Sequence, residues 1–258
     1  VLANNKEVLS PGQFVRVRVS GAVQKDAVLL PQRAVLENRA DVAVHSAKDL
    51  PSKNADGLSI GAIGERRTAN DALVGKRLEE LAVGATIATG SVRRRAQLMR
   101  IRPDLQFVDL RGNIQTRLSK IPDGGAIVMA VAALEILGMT SHVAEVLDLD
   151  VAVPLVGQGS VAVEARADDA ETRAILALID HAASRRAVET ERAFLAELGA
   201  GCSMPVGAYV NDENVLSTFM ATGPTNSDRH VKFVEPVPTV DAHEFARELA
   251  RKSQSALA

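Results

Sequence analysis

Only one cysteine, Cys202, occurs in the 258 residues, tryptophan is absent, and aromatic residues make up 3% of the chain. A single thiol excludes an intrachain disulfide and fits a reducing compartment. The five histidines are scattered, and with no CxxC or HExxH spacing no metal site is expected. Few aromatics and no Trp argue against a base-stacking platform for nucleic acid. A formal net charge of -2 removes any global electrostatic pull toward nucleic acid or an anionic membrane. The longest apolar run, AIVMAVAAL at 126–134, is far short of a bilayer span. The opening VLANNKEVLSPGQ lacks the pattern of a secretory signal.

What is present changes character along the chain. In FVRVRVS, residues 14–20, Val15, Val17 and Val19 alternate with Arg16 and Arg18, the period-two pattern of a half-buried strand. AVLLP reads as a second strand, stopped by Pro31. Beyond it, helical and strand-like stretches alternate. RAVLENRA ends a helix, and DVAVHS, TIATGS, LQFVDL and AIVMAV read as strands. SVRRRAQLMRIR, NIQTRLSKI and AALEILG read as helices, the last ended by Gly138. Continuous apolar strands separated by helices predict α/β layers around a largely parallel sheet. From about Ser184 a long helix, two strands (PVGAYV and one near LSTFMATG) and a final amphipathic helix predict a small α+β unit.

Charge is concentrated locally. Arg93, Arg94, Arg95, Arg100, Arg102, Arg111, Arg117 and Lys120 face only Asp104 and Asp109 within the same stretch. Thr89, Gly90 and Ser91 end a strand and can cap the next helix, which places Arg93 and Arg94 in its first turn. The helix macrodipole disfavours cations there, so arginines at that place suggest a bound anion. DLRGNIQTRL repeats the arrangement with Arg111, Gly112 and Arg117. Converging arginines at two strand ends fit a site for several carboxylates or phosphates; a solvated basic face is the plainer alternative.

Three further stretches could carry chemistry. In HSAKDLP, Asp49 beside Lys48 fits either an ordinary turn pair before Pro51 or a carboxylate that holds a proton or a cationic intermediate, with Lys48 on an acid group. His45 reads as a structural strand-end residue. Cys202, between glycines in GAGCSMP, is either a small buried hydrophobe or a thiol with room for covalent attachment. GQGSVAVEAR, residues 157–166, is a glycine-rich turn entering a strand and lacks the pattern of a nucleotide loop.

Taken in order, DVAVHSAKDLP, ATGSVRRRAQL, VDLRGNIQTRLSK, AIVMAVAALEILG, VPLVGQGSVAVEAR and ERAFLAELGAGCSMPVGAYV closely resemble the porphobilinogen deaminase family over residues 32–258. The resemblance implies a cytoplasmic, monomeric transferase of tetrapyrrole and heme biosynthesis. Its activity is hydroxymethylbilane synthase, condensing four porphobilinogens head to tail with release of ammonia. It implies Asp49 as the catalytic carboxylate and Cys202 as the thioether attachment of a dipyrromethane cofactor. Ser46, Lys48, Arg93, Arg94 and Asn113 would contact that cofactor, and Arg111 and Arg117 would bind substrate carboxylates. The implied fold is α/β: two periplasmic-binding-protein-like α/β domains, the first incomplete, plus a small C-terminal α+β domain. Residues 32–66 and 159–177 would form the remnant of domain 1, 67–158 domain 2 and 180–258 the cofactor-bearing domain 3, with the cleft between domains 1 and 2.

Two departures stand out. Ile136 occupies a position where the family usually has arginine, and no counterpart of the family's first stretch is found upstream of HSAKDLP. Residues 1–31 form a foreign β segment that instead resembles the C-terminal β region of periplasmic adaptor subunits of efflux pumps, which points to a chimeric join. A sheet lacking its first strand would expose edges, so low stability and weak or absent activity are expected. The rival readings are a non-enzymatic anion-binding protein of the periplasmic type and an efflux adaptor.

Overall fold

The structure, a computed structural model, describes residues 42–199 and 204–258. The two strands and the adaptor resemblance expected within residues 1–31, the expected RAVLENRA helix and Cys202 lie outside the described residues. Strand β1 (Val42–Ser46) runs into a single 3-10 turn, Ala47–Asp49, and β2 (Leu58–Ile63) and β3 (Asp71–Gly75) follow. Next come β4 (Thr86–Ala88), α1 (Val92–Ile101), β5 (Gln106–Val108), α2 (Ile114–Leu118), β6 (Ala126–Ala130) and α3 (Val131–Ile136). The remainder is β7 (Val143–Val146), β8 (Val161–Arg166), α4 (Ala170–Leu176), α5 (Ala182–Glu197), β9 (Val206–Val210), β10 (Val215–Ala221), β11 (His230–Pro236) and α6 (Ala242–Leu257). None of the described helices is long and apolar enough to cross a membrane.

The chain divides into two compact units. The described part of the first comprises residues 42–66 with Ser160–Arg186; the second is Arg67–Gly159 with Ala187–Ala258. The division passes through α5, between Arg186 and Ala187.

Among the described residues of the first unit, β8 is the central strand of a three-stranded sheet ordered β1-β8-β2, antiparallel to both neighbours. Val42, Val44, Ala62, Val163, Ala165 and Leu176 form its core, with α4 supplying Leu176. Gly61 is what lets the helix approach, because a Cβ there would lie 2.4 Å from the Leu176 side chain. Asp180 and Arg185 clasp the same strand: Asp180 accepts from Ile63 N at 2.8 Å and Arg185 Nη2 donates to Gly61 O at 3.1 Å.

The second unit holds a five-stranded sheet, β5-β4-β6-β3-β7. Alternate residues of each strand serve opposite faces. Leu73, Ile87 and Val128 pack with Leu98 of α1 on one side, while Val74, Ala88, Ile127 and Met129 pack with Leu134 of α3 on the other. Both faces being covered explains why AIVMA reads as one apolar run.

The expected largely parallel sheet is corrected. Only β4–β5 and β4–β6 are parallel, and β3 is antiparallel to both β6 and β7. Parallel neighbours need a crossover connection. Helices α1 and α2 provide crossovers for β4, β5 and β6, whereas the segment from β3 to β4 contains only the 3-10 turn Leu78–Glu80. A buried apolar run marks two covered faces and says nothing of direction.

Helix α3 ends as its sequence predicts. Gly138 adopts φ 66°, Met139 N donates to Leu134 O at 2.8 Å and Gly138 N to Glu135 O at 3.1 Å, a paired closure of the last carbonyls. The C-terminal part is an antiparallel meander, β11-β10-β9, packed with α5 and α6 around Phe194, Leu216, Met220 and Leu249. Strand β11 was not expected. Val231 and Phe233 of this half-buried edge strand alternate with His230, Lys232 and Glu235 and pack on the core, a period-two signal that the sequence reading passed over.

Candidate functional site

In the second unit, two strand ends lie side by side. Ala88 of β4 is opposite Val108 of β5, and Thr89 N donates to Val108 O at 2.9 Å. A Cβ on Gly90 would meet Leu110 O at 3.0 Å, so a glycine keeps the two following loops close. Ser91 caps α1, its Oγ accepting from Arg94 N at 3.4 Å.

Arg93 and Arg94 occupy the first turn of α1, and both side chains turn inward onto one carboxylate, Asp71, the first residue of β3. Arg93 Nη2 donates to Asp71 Oδ2 at 2.7 Å and Nη1 to Val153 O at 2.6 Å. Arg94 Nε and Nη2 donate to Asp71 Oδ1 at 3.1 and 2.7 Å, and Nη1 donates to Val128 O at 2.9 Å. Gln158 Nε2 adds a fourth bond to the carboxylate, 2.9 Å from Oδ1, and donates also to Ala69 O at 2.6 Å. Gln97, one turn beyond Arg93, holds the same Val153 through both its N–H and its carbonyl.

Asp71 has no exposed surface. Burial alone would push its carboxyl up, but the charges of Arg93 and Arg94, with hydrogen bonds from Arg94 and Gln158, override that and hold it well below the ordinary carboxylate range. Burial likewise lowers Arg93, with Asp71 opposing the shift. Two guanidinium groups and one carboxylate leave one positive charge in excess in this cluster. The Nε of Arg93 is buried without a hydrogen-bond partner among the described residues. An unmatched buried charge is costly unless an anion completes it, so this donor set fits a ligand carboxylate.

The second loop stays at the surface. Arg111 is 88% exposed in its side chain and 4.0 Å from Asp109, a pair of little energetic weight. Gly112 takes φ 123°, and Asn113 caps α2 with Oδ1 accepting from Thr116 N at 2.9 Å. Arg117 Nε donates back to Gly112 O at 2.8 Å, and Lys120 Nζ to Arg111 O at 3.2 Å. Arg111, Arg117 and Lys120 thus surround the loop with cationic groups, while Asn113 spends its side-chain oxygen on the helix cap.

In the first unit, Ser46, Lys48 and Asp49 share the end of β1 and the 3-10 turn after it. Ala47 N donates to Ser160 O at 2.9 Å, and buried Ala47 and Leu50 anchor the turn while Asp49 is exposed. His45 Nε2 lies 3.5 Å from Oε2 of Glu164, which is fully buried on β8. Cys202 lies outside the described residues.

The residues that sequence reasoning missed are Asp71 and Gln158. Asp71 opens an apolar run, DALV, where a carboxylate with no exposed surface needs cationic partners. That mismatch was the available signal. Gln158 sat in plain view between the two glycines of GQG.

Comparison with known proteins matches this arrangement along most of the chain. The family model described as "Porphobilinogen deaminase, dipyromethane cofactor binding domain" matches residues 31–174, and "Porphobilinogen deaminase, C-terminal domain" matches residues 185–251. A porphobilinogen deaminase of Desulforudis audaxviator is 48% identical over 182 residues, covering 69% of this chain and 59% of that protein. One from Brevibacillus brevis is 44% identical over 193 residues, 72% of this chain and 62% of the relative. One from Chloroherpeton thalassium is 38% identical over 235 residues, 87% and 75% respectively. The chain therefore spans less than two thirds of the length of the first two of these relatives. With a family model covering more than half of its residues and a second covering the C-terminal meander, the chain belongs to the porphobilinogen deaminase family.

Proposed function

We propose that this chain acts as a hydroxymethylbilane synthase, joining four porphobilinogens head to tail with loss of one ammonia per aminomethyl group. The observation that carries this reading is the buried Arg93–Arg94–Asp71 cluster, one positive charge in excess, at the same sheet end as exposed Arg111 and Lys120 and half-buried Arg117. Porphobilinogen bears two carboxylates, and each condensation adds two more, so the product needs a run of cations and not a single pocket.

The roles follow the side chains. Arg93 offers its unpaired Nε, Arg94 fixes the shared carboxylate, and Arg111 and Arg117 bind substrate acid groups at the rim. Asn113 supports the cofactor-side loop by capping α2. Asp49, exposed at its turn, stabilises positive charge on a pyrrole nitrogen as ammonia leaves, with Lys48 and Ser46 beside it on acid groups. Cys202 would hold dipyrromethane by a thioether; when bound, that group supplies the carbon at which the chain is extended.

The finer architecture belongs to the same reading: two periplasmic-binding-protein-like domains, 32–66 with 159–177 and 67–158, then a cofactor-bearing domain at 180–258, in a cytoplasmic monomer. Residues 1–31 are a foreign, adaptor-like segment joined near Pro31. A continuous reading frame across codons 25 to 40 in an intact source locus would refute an artefactual join.

Intact mass of the purified chain tests the activity. The expected result is an added dipyrromethane, absent from a Cys202→Ser variant, with porphobilinogen turnover in the loaded protein. An unmodified mass in folded protein would reject the enzyme reading. It would favour a non-enzymatic anion-binding protein, for which exposed Arg111 and half-buried Arg117 speak and whose anion affinity Cys202→Ser would leave intact.

A further inference from the structure

We propose that Asp71 is the positioning residue of the arginine pair, and that the Gly157–Gln158–Gly159 turn, pinned by Glu191, sets where Asp71 stands. This extends the reading of Arg93 and Arg94 as carboxylate binders and gives the glycine-rich turn, which that reading leaves without a task, a defined one.

The geometry is continuous within the second unit. Asp71 accepts from both guanidinium groups and is therefore the common origin of their orientation. Gln158 bridges Asp71 and Ala69 O with one amide nitrogen, tying the carboxylate to the backbone two residues before it. Gly157 takes φ 71° and Gly159 φ 89°, and a Cβ on Gly159 would lie 2.5 Å from Arg67 O, so the turn is built around close backbone approach. Fully buried Glu191 of α5 fixes it from the other side, Oε2 accepting from Gly157 N and Oε1 from Val210 N of β9, each at 2.8 Å. A buried carboxylate shared by two backbone donors on different elements holds both in register.

The consequence is that the arginine forks are already committed before any ligand arrives. Asp71 occupies the face on which a free carboxylate would make bidentate contact. A ligand acid group is left with the Arg93 Nε and the remaining Nη hydrogens, and meets them in a preset orientation.

Chemical rescue tests this. An Asp71→Ala variant of the full chain leaves two guanidinium groups around a carboxylate-sized gap. Formate should raise its thermal midpoint saturably, with little effect on wild type or on a Leu73→Ala packing control. No difference between Asp71→Ala and the control would overturn the proposal. Should Asp71→Ala not fold, Gln158→Leu and Glu191→Gln carry the test through Nε–H exchange of Arg94 measured by NMR. Acceleration of at least tenfold in each is expected, and unchanged exchange would reject the brace. Formate rescue in a chain that never gains dipyrromethane mass would reject the enzyme reading alone; dipyrromethane loading without rescue would reject the positioning role alone.

Discussion

Arg67 and Gly159 are joined backbone to backbone, Arg67 N donating to Gly159 O at 2.9 Å, while Arg67 O lies 2.5 Å from where a Cβ on Gly159 would sit. Gly159→Ala must therefore both hold a left-handed backbone and push the 67–69 segment aside. Gly57 has a similar φ of 80° with nothing within 4 Å of its would-be Cβ. Gly57→Ala should cost about 1–2 kcal/mol, the strain of the left-handed region, and Gly159→Ala clearly more. Denaturant titration of the two variants measures the difference, and equal losses would contradict the close approach.

Asp71 predicts a defined response to acid. Its folded carboxyl titrates below the unfolded one, whose ordinary value is about 3.9. The stability it contributes is thus complete above that value and is lost as pH falls from there toward the depressed folded value. Asp71→Asn should cost about 3–5 kcal/mol at neutral pH, as expected when one partner of a buried ion pair is removed. The gap between variant and wild type should narrow below about pH 4. Urea midpoints at pH 7, 5 and 3 would show it; a gap constant with pH would mean that Asp71 is not ionised in the fold.

Arg102 forms a two-bonded pair with Asp104, at 2.8 and 2.7 Å, while also donating to Leu78 O and Leu81 O. The hydrogen bonds from Arg102 hold the Asp104 carboxyl down at about 2. Carboxyl NMR should find that midpoint in wild type and a value nearer the ordinary one in Arg102→Leu.

Ile136, the last residue of α3, is 52% exposed, at the position where the family resemblance of the sequence implies an arginine. Ile136→Arg puts a cation at a helix C-terminus, which the macrodipole favours, so stability should change by less than about 1 kcal/mol. The KM for porphobilinogen should fall if this position meets substrate carboxylates. Steady-state kinetics with denaturant titration separates the two effects, and an unchanged KM would remove position 136 from the site.

Much of the second unit was legible in the sequence because its signals are local. Ser91, Gly138 and the apolar run of β6 each act within a few residues, and the structure puts a helix start, a helix end and a central strand where they predict them. The arginine cluster was legible as a count but misleading as a surface. The apparent excess between Arg93 and Lys120 is reduced by a carboxylate that lies elsewhere in the chain, Asp71 for Arg93 and Arg94, and Arg100 donates to the distant Asp150 carbonyl. Arg95 lies over the Phe107 ring at 5.7 Å. No periodicity encodes those pairings. Strand direction was illegible for the same reason, since β3 carries the apolar pattern of its neighbours and runs against them.

The central strand of the first sheet, β8, is contributed from far along the chain and pairs with both β1 and β2. During synthesis those two strands leave the ribosome long before their shared neighbour exists. At about 5–20 residues per second the wait is on the order of ten seconds. For that interval β1 and β2 wait without the strand that joins them, each with an edge open to other chains until Val161–Arg166 emerges.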